Sequence, residues 1–185
     1  MTRIIAGRAG SLALVVPDAG TRPTSDRVRE SLFGSLESAD LLHDAVVLDL
    51  YAGSGALGLE AISRGAARCD LVEKSPRAAR VADRNARALR RVMPDALIRV
   101  HQTSADMFLR NAAAVFDLVF LDPPYEVGEP ELAATLTLLG PRLSAGAAVI
   151  IERSSRSPTP TLPPGLTPDR SKRYGDTTLW WALAD

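Results

Sequence analysis

Two clusters in this 185-residue chain have residue types and spacing suited to chemistry. The first is Asp49-Leu50-Tyr51-Ala52-Gly53-Ser54-Gly55-Ala56-Leu57-Gly58. Gly53, Gly55 and Gly58 match G-x-G-x-x-G, a turn on which a nucleotide can lie against bare backbone. Glu73 closes the next apolar run, where an acid can accept from both ribose hydroxyls. A dinucleotide would place its pyrophosphate at the following helix N-terminus. Asp49 would repel those phosphates and welcome a cationic amine. That favours S-adenosylmethionine (SAM), with its α-ammonium and sulfonium, over NAD. The bland alternative is a tight turn without ligand, with Asp49 as a cap.

The second cluster is Asp122-Pro123-Pro124-Tyr125, at the end of another apolar run. An exocyclic amino group on a base is a poor nucleophile because its lone pair is conjugated into the ring. A carboxylate and a nearby carbonyl can accept its two N–H bonds and aim the lone pair at a methyl group. Two prolines stiffen that backbone and remove competing N–H donors. Tyr125 offers a ring for stacking an extruded base. The competing reading is a proline-rich turn with a solvent tyrosine.

These clusters need elements to position them. Residues 3–6 and 12–16 read as the strands of a small hairpin around Gly7 to Gly10, and Pro17 to Gly20 as a turn. Thr21 to Ser25 offer caps to a helix starting near Asp26, with Val28, Leu32, Phe33 and Leu36 at helical spacing. From residue 45 the pattern alternates strand and helix. Strands are expected at 46–50, 69–73, 97–101, 116–121 and 147–152, the first near-continuously apolar as buried parallel strands are. Helices are expected at 56–64, 76–91, 106–114 and 129–139, the second opened by Ser75 and Pro76. Five prolines within 153–168 argue against a helix there. Residues 173–181 read as two strands joined by a tight turn, with Trp180 and Trp181 alternating across an edge strand, one core and one surface. The sum is an α/β fold, Rossmann-like, with a mostly parallel sheet and an antiparallel C-terminal edge hairpin. Residues 1–40 form a small hairpin-helix extension, and 41–185 the main domain.

With these motifs the chain resembles class I SAM-dependent methyltransferases acting on a base amino group. Arg3-Ile4-Ile5-Ala6-Gly7, the stretch Arg22-Pro23-Thr24-Ser25-Asp26-Arg27-Val28-Arg29-Glu30-Ser31-Leu32-Phe33 and the tail Lys172-Arg173-Tyr174-Gly175-Asp176-Thr177 further resemble the RsmD family. Those are bacterial 16S ribosomal RNA guanine-N2 methyltransferases, whose product is 2-methylguanosine at rRNA position 966. The resemblance implies that Asp49, Gly53 and Gly55 line the methionine part of SAM, with Tyr51, Ala52 and Ser54 in the same turn. It implies Glu73 at the ribose beside Lys74, and Ala105 and Asp106 at the adenine. Asp122, Pro123, Pro124 and Tyr125 would hold the guanine. It also implies a substrate rRNA within the 30S subunit or a late assembly intermediate. The chain departs at Ala9-Gly10-Ser11-Leu12, where many members carry basic and aromatic residues, so a weak RNA grip is expected of the hairpin.

Charge is balanced, with 22 Lys+Arg against 22 Asp+Glu, so any nucleic-acid surface must be local. Arg3, Arg8, Arg22, Arg27 and Arg29 lie near the entry to the main domain. Arg77, Arg80, Arg84, Arg87 and Arg91 recur at three-and-four spacing, an arginine stripe on one helix face. A solvated surface helix is the plain alternative. Cys69 stands alone, and His43 and His101 are isolated, so no metal site is expected. With a lone thiol, no apolar run near 18–20 residues and no hydrophobic signal core, the expectation is a cytoplasmic protein without membrane contact; a monomer is expected besides. Two rivals remain. An adenine-N6 DNA methyltransferase shares the Asp-Pro-Pro-Tyr chemistry, but 185 residues leave no room for a target-recognition domain. An NAD-binding Rossmann protein leaves that motif unexplained.

Overall fold

The computed structural model describes residues 2–17 and 25–185. The expected turn at 17–20, the caps Thr21 to Thr24 and the candidate Arg22 thus fall wholly or partly outside the described residues. Strands β1 (Thr2–Arg3) and β2 (Ala13–Leu14) pair antiparallel and precede helix α1 (Asp26–Ser38). Then come β3 (Val46–Asp49), α2 (Ala56–Ser63), β4 (Arg68–Glu73), α3 (Pro76–Val92) and β5 (Leu97–Gln102). The chain continues through α4 (Ala105–Asn111), β6 (Phe116–Leu121), α5 (Glu129–Leu139), β7 (Leu143–Ser154), β8 (Leu166–Tyr174) and β9 (Thr177–Ala184). The seven-stranded sheet has the order β5-β4-β3-β6-β7-β9-β8. Strands β3 to β7 are parallel, while β9 is antiparallel to both β7 and β8. The fold is α/β and Rossmann-like, with an antiparallel end.

The chain first builds outward from β3 through β4 to β5, then returns to β6 on the other side of β3. Helices that follow the two neighbouring strands therefore leave in opposite directions. The crevice left at their carboxyl ends is the usual ligand position in such sheets. Two apolar clusters cover the two faces. One joins Phe33, Leu59, Leu71, Ala82 and Phe120; the other joins Val72, Leu109, Val119, Leu132 and Ile151. The N-terminal residues Ile4, Ala9, Leu14 and Phe33 belong to the first of these clusters.

The hairpin ladder is shorter than expected because its backbone donors bond elsewhere. Ile5 and Ala6 N–H groups go to the buried Glu60 carboxylate at 2.7 and 3.0 Å, and Val15 N–H goes to Asn85 Oδ1 at 2.9 Å. Helix α4 stops at Asn111, whose side-chain amide donates to the Met107 carbonyl at 2.7 Å. Strand β8 takes in Pro168, which sits at a register shift on the sheet edge, where its missing N–H costs no ladder bond. The tryptophans correct an expectation. Strand β9 lies between β7 and β8, so it is not an edge. Trp181 is buried in one cluster, and Trp180, half-buried, packs on the other.

Candidate active site

Asp49 ends β3 opposite Phe120 of β6, and Leu50 N–H bonds the Phe120 carbonyl at 3.0 Å. The turn after β3 and the turn after β6 therefore rise side by side, about 5 Å apart. In the first turn Gly53 has φ +54°. A side chain there would meet no atom within 4 Å, so the turn opens onto free space. Gly58 serves a different purpose. A Cβ on it would lie 2.4 Å from Leu71 Cδ2 and 2.6 Å from Cys69 Sγ. Its bareness lets α2 sit close on β4, which keeps the helix N-terminus next to the turn.

Asp49 is buried. Its Oδ2 accepts from Gly58 N–H at 3.2 Å, while Oδ1 is buried without a hydrogen-bond partner. Burial pushes the carboxyl up to about 7. The Gly58 bond opposes this, the Glu73 charge adds to it, and the nearby Tyr51 N–H lowers it slightly. An unpaired buried acceptor is costly. It is the feature expected of a site that receives a cation. Glu73, at the end of β4, accepts from Gly53 N–H at 2.9 Å and Ser75 N–H at 2.7 Å, one on each oxygen. Both bonds hold the carboxylate beside the turn and leave each oxygen a further lone pair. Lys74 is exposed next to it.

Ala52, Ser54 and Ala105 are buried, and Tyr51 and Asp106 half-buried. Asp106, in the first turn of α4, accepts from Thr135 Oγ1 at 3.2 Å. Burial raises the Tyr51 hydroxyl above its ordinary value, against the pull of Thr135. Thr135 of α5 thus links the β3 turn to α4. On the second turn Asp122 is half-buried, Pro123 buried, and Pro124 exposed. Tyr125 is 77% exposed, in contrast to every other aromatic near the sheet ends. The Pro124 carbonyl accepts from Val127 N–H at 3.0 Å, so the acceptor adjoining Asp122 is the Pro123 carbonyl.

Sequence spacing missed three supports. Asn85, buried on α3, donates to the carbonyls of Ser54 and Val15 at 2.9 and 2.8 Å, while its Oδ1 accepts from Val15 N–H. It ties the turn to the N-terminal arm. Glu60 clamps that arm from below through Ile5 and Ala6. Arg153 of β7 pairs with Glu129 of α5 at 2.6 Å. An Asn inside an arginine-rich helix, polar where the buried face is alanine, was the one available signal.

The basic candidates separate. Arg29 is buried, bonds Asp26 and the Arg3 carbonyl, and faces Glu60, so it is a core residue rather than an RNA contact. Arg8 forms a two-bond pair with Asp95 and sits at the Ser63 end of α2, far from the turns. Arg3 and Arg27 are exposed, as are Arg77, Arg80 and Arg84. A shallow groove of about 420 Å³ between α1 and β8 contains none of the predicted site residues. Among the described residues no group of His, Cys, Asp or Glu could hold a metal ion, and no helix is long and apolar enough to cross a membrane.

Known proteins share both sequence and shape with this chain. Ribosomal RNA small subunit methyltransferase D of Escherichia coli K12 is 37% identical over 174 residues, covering 94% of this chain and 85% of that protein. The protein of the same name from Haemophilus influenzae is 36% identical over 159 residues, covering 84% and 80%. A solved Escherichia coli structure described as a candidate methyltransferase, yhhF, superposes with TM-score 0.84 at 34% identity, covering 99% of this chain and 97% of that one. The SAM-bound magnesium protoporphyrin IX methyltransferase of Synechocystis shares the fold alone, with TM-score 0.67 at 14% identity over 90% and 87% of the two chains. The family model described as "Conserved hypothetical protein 95" matches residues 2–182. Its match and these identities agree with the two turns, and the chain belongs to that family, the RsmD family.

Proposed function

We propose that this chain transfers a methyl group from SAM to the exocyclic N2 of a guanine in small-subunit rRNA. The observation that carries the reading is the pairing of two turns on neighbouring strands. One presents the buried, unpartnered Asp49 oxygen; the other presents Asp122 with an exposed Tyr125. The names of the relatives supply the rRNA, and the Asp-Pro-Pro-Tyr chemistry supplies the amino group.

The residues fit SAM. Asp49 would take its α-ammonium, the open turn at Gly53 to Gly55 its methionine backbone, Glu73 its ribose, and Ala105 and Asp106 its adenine. Bound there, SAM supplies an electrophilic methyl on a sulfonium. The chain's own residues do the rest. Tyr125 stacks the extruded guanine. The Asp122 carboxylate and the Pro123 carbonyl each accept one N2–H bond, which draws the lone pair out of conjugation and points it across to the first turn. As the N–C bond forms, the methyl–sulfur bond would break with its electron pair staying on sulfur, leaving a neutral thioether, and N2 would shed a proton that Asp122 receives and passes to water. Most of the rate then comes from positioning and prearranged charge. No metal enters this scheme. A cytoplasmic enzyme acting as a monomer on the 30S subunit, or a late precursor of it, fits that substrate.

The test is labelled-methyl transfer from SAM to unmodified small subunits, free 16S rRNA and duplex DNA, followed by nucleoside mass spectrometry. N2-methylguanosine in a ribosomal sample is expected. N6-methyladenine in DNA would overturn the substrate while keeping the Asp122 chemistry. Melting shifts with NAD but not with SAM would overturn the cofactor.

A further inference from the structure

Arg8, Arg29, Arg64, Arg68 and Arg153, on other elements, are each paired with an acid. Helix α3 gathers arginines of its own on one face. Arg77, Arg80, Arg84, Arg87 and Arg91 are all exposed, while Ala79, Ala82, Asn85, Ala86 and Leu89 form the buried face. The track runs over 15 residues, about 21 Å of helix. Asp83 is the helix's one acid, and it pairs with Arg87 at 2.8 Å. Neighbouring arginines at three-and-four spacing repel one another, so the helix carries a stability cost that opposite charges would have removed. In a chain of zero formal net charge, such a concentration is local.

Its placement matters as much as its charge. Helix α3 is capped by Ser75, whose N–H holds Glu73, so the track starts at the lip of the site. Two strand spacings, about 10 Å, separate β4 from β6 and the Asp122 turn. All five residues are arginine, whose planar fork matches phosphate oxygens better than a lysine ammonium does. The apolar face of α3 is spent on the sheet, which leaves none to enter a membrane. We propose that this track docks the phosphate backbone of the rRNA flanking the target guanine. The proposal rests on the rRNA-methylation reading above. It moves the RNA grip from the N-terminal arm, where Arg8 and Arg29 are internally tied, to α3.

The test compares wild type with the triple variant Arg80→Gln/Arg84→Gln/Arg91→Gln and its Lys counterpart. Methyl transfer to unmodified small subunits is followed against salt concentration, alongside SAM affinity and melting temperature. The Gln variant should show a KM for subunits raised roughly 10- to 100-fold. Its dependence of log kcat/KM on log salt should be shallower by about 2 to 3, with SAM affinity unchanged and melting equal or slightly raised as the like-charge repulsion is relieved. The Lys variant should keep most of the slope. If wild type is active and the Gln variant matches it in KM and slope, the track is wrong and the methylation reading stands. If wild type labels no ribosomal substrate, the reading falls and the track falls with it. Should the triple variant fail to fold, Arg84→Gln alone is expected to lower the slope by about one. An unchanged slope there overturns the proposal.

Discussion

The turn after β3 and the turn after β6 sit side by side, yet they are built in opposite ways. The first is held on every side. Glu73 is pinned by two backbone N–H groups, the Ser54 carbonyl by Asn85, and Asp49 by Gly58. The second presents a tyrosine that is 77% exposed. Stiffness there comes from two prolines, Pro123 being buried, and from the Val127 N–H bond to the Pro124 carbonyl, while the ring itself stays in solvent. On the proposed function, the difference follows from what each would meet. A small, invariant donor is best bound by a prearranged cleft. A nucleotide extruded from a large RNA brings its own scaffold, so its half of the site can stay open until docking.

That contrast predicts unlike mutational signatures. Asp122→Ala should cause the largest loss, with kcat falling on the order of 10³-fold while SAM affinity stays near wild type. Calorimetric titration of SAM beside single-turnover methylation would check it, and near-normal turnover would remove Asp122 from the reaction. Asp49→Asn comes next. It should weaken SAM binding by about 10²-fold through the lost ion pair, yet raise the melting temperature of the SAM-free protein because a buried carboxylate is gone. A variant that binds SAM normally would break the assignment of Asp49 to the ammonium. Tyr125→Ala should raise the KM for RNA about 10- to 100-fold, the worth of one stacked base. Melting should not move, since the ring is already in solvent; a clear drop would show that the second turn is packed after all.

The strand-and-helix rhythm was legible because buried parallel strands are nearly all apolar and α1 and α3 carry good caps. β3, β4, β6, α1 and α3 fall where their patterns put them, to within a residue or two. Both turns were legible because glycines and prolines restrict backbone shape locally. What was not legible depends on long-range contact. The Glu60 clamp joins residues 54 and 55 positions apart, and Asn85 joins positions 31 and 70 apart. Arg29 reads with Arg27 as a surface cation, and its i−3 partner Asp26 would suit an exposed arginine as well as a buried one. Glu60, which it also faces, lies on another helix, and no local pattern announces that. The tryptophans were misread for the same reason: which strand forms the edge is decided by the order of the whole sheet.

The smallest predicted effect, and the one that separates the two turns most cleanly, is in pH. Asp49 is raised to about 7, chiefly by burial. It must be ionised to hold an ammonium, so acid should weaken SAM binding. With a group of this kind, affinity falls about tenfold or more between pH 7.5 and 5.5. The donor's own α-amino group, titrating near 7.7–8.0, sets the alkaline side. Asp49→Asn should flatten the acid limb and shrink the alkaline one, since both report the same ion pair. For stability the sign is reversed. The folded carboxyl has a higher pKa than the unfolded one, near 3.9, so the folded state holds the extra proton between about 4 and 7. Its contribution is full below pH 4 and is lost as pH rises through 7. A shift of this size corresponds to about 4 kcal/mol at most. The melting-temperature advantage of Asp49→Asn over wild type, both without SAM, should therefore widen from pH 4 to 7 and then level off. Taking the difference cancels other carboxylates such as Asp70, which is lowered, against its burial, by the bonds from His101 and Arg68. A gap that stays constant with pH would mean that Asp49 is ionised throughout, and the cost of its unpartnered oxygen would have to be found elsewhere.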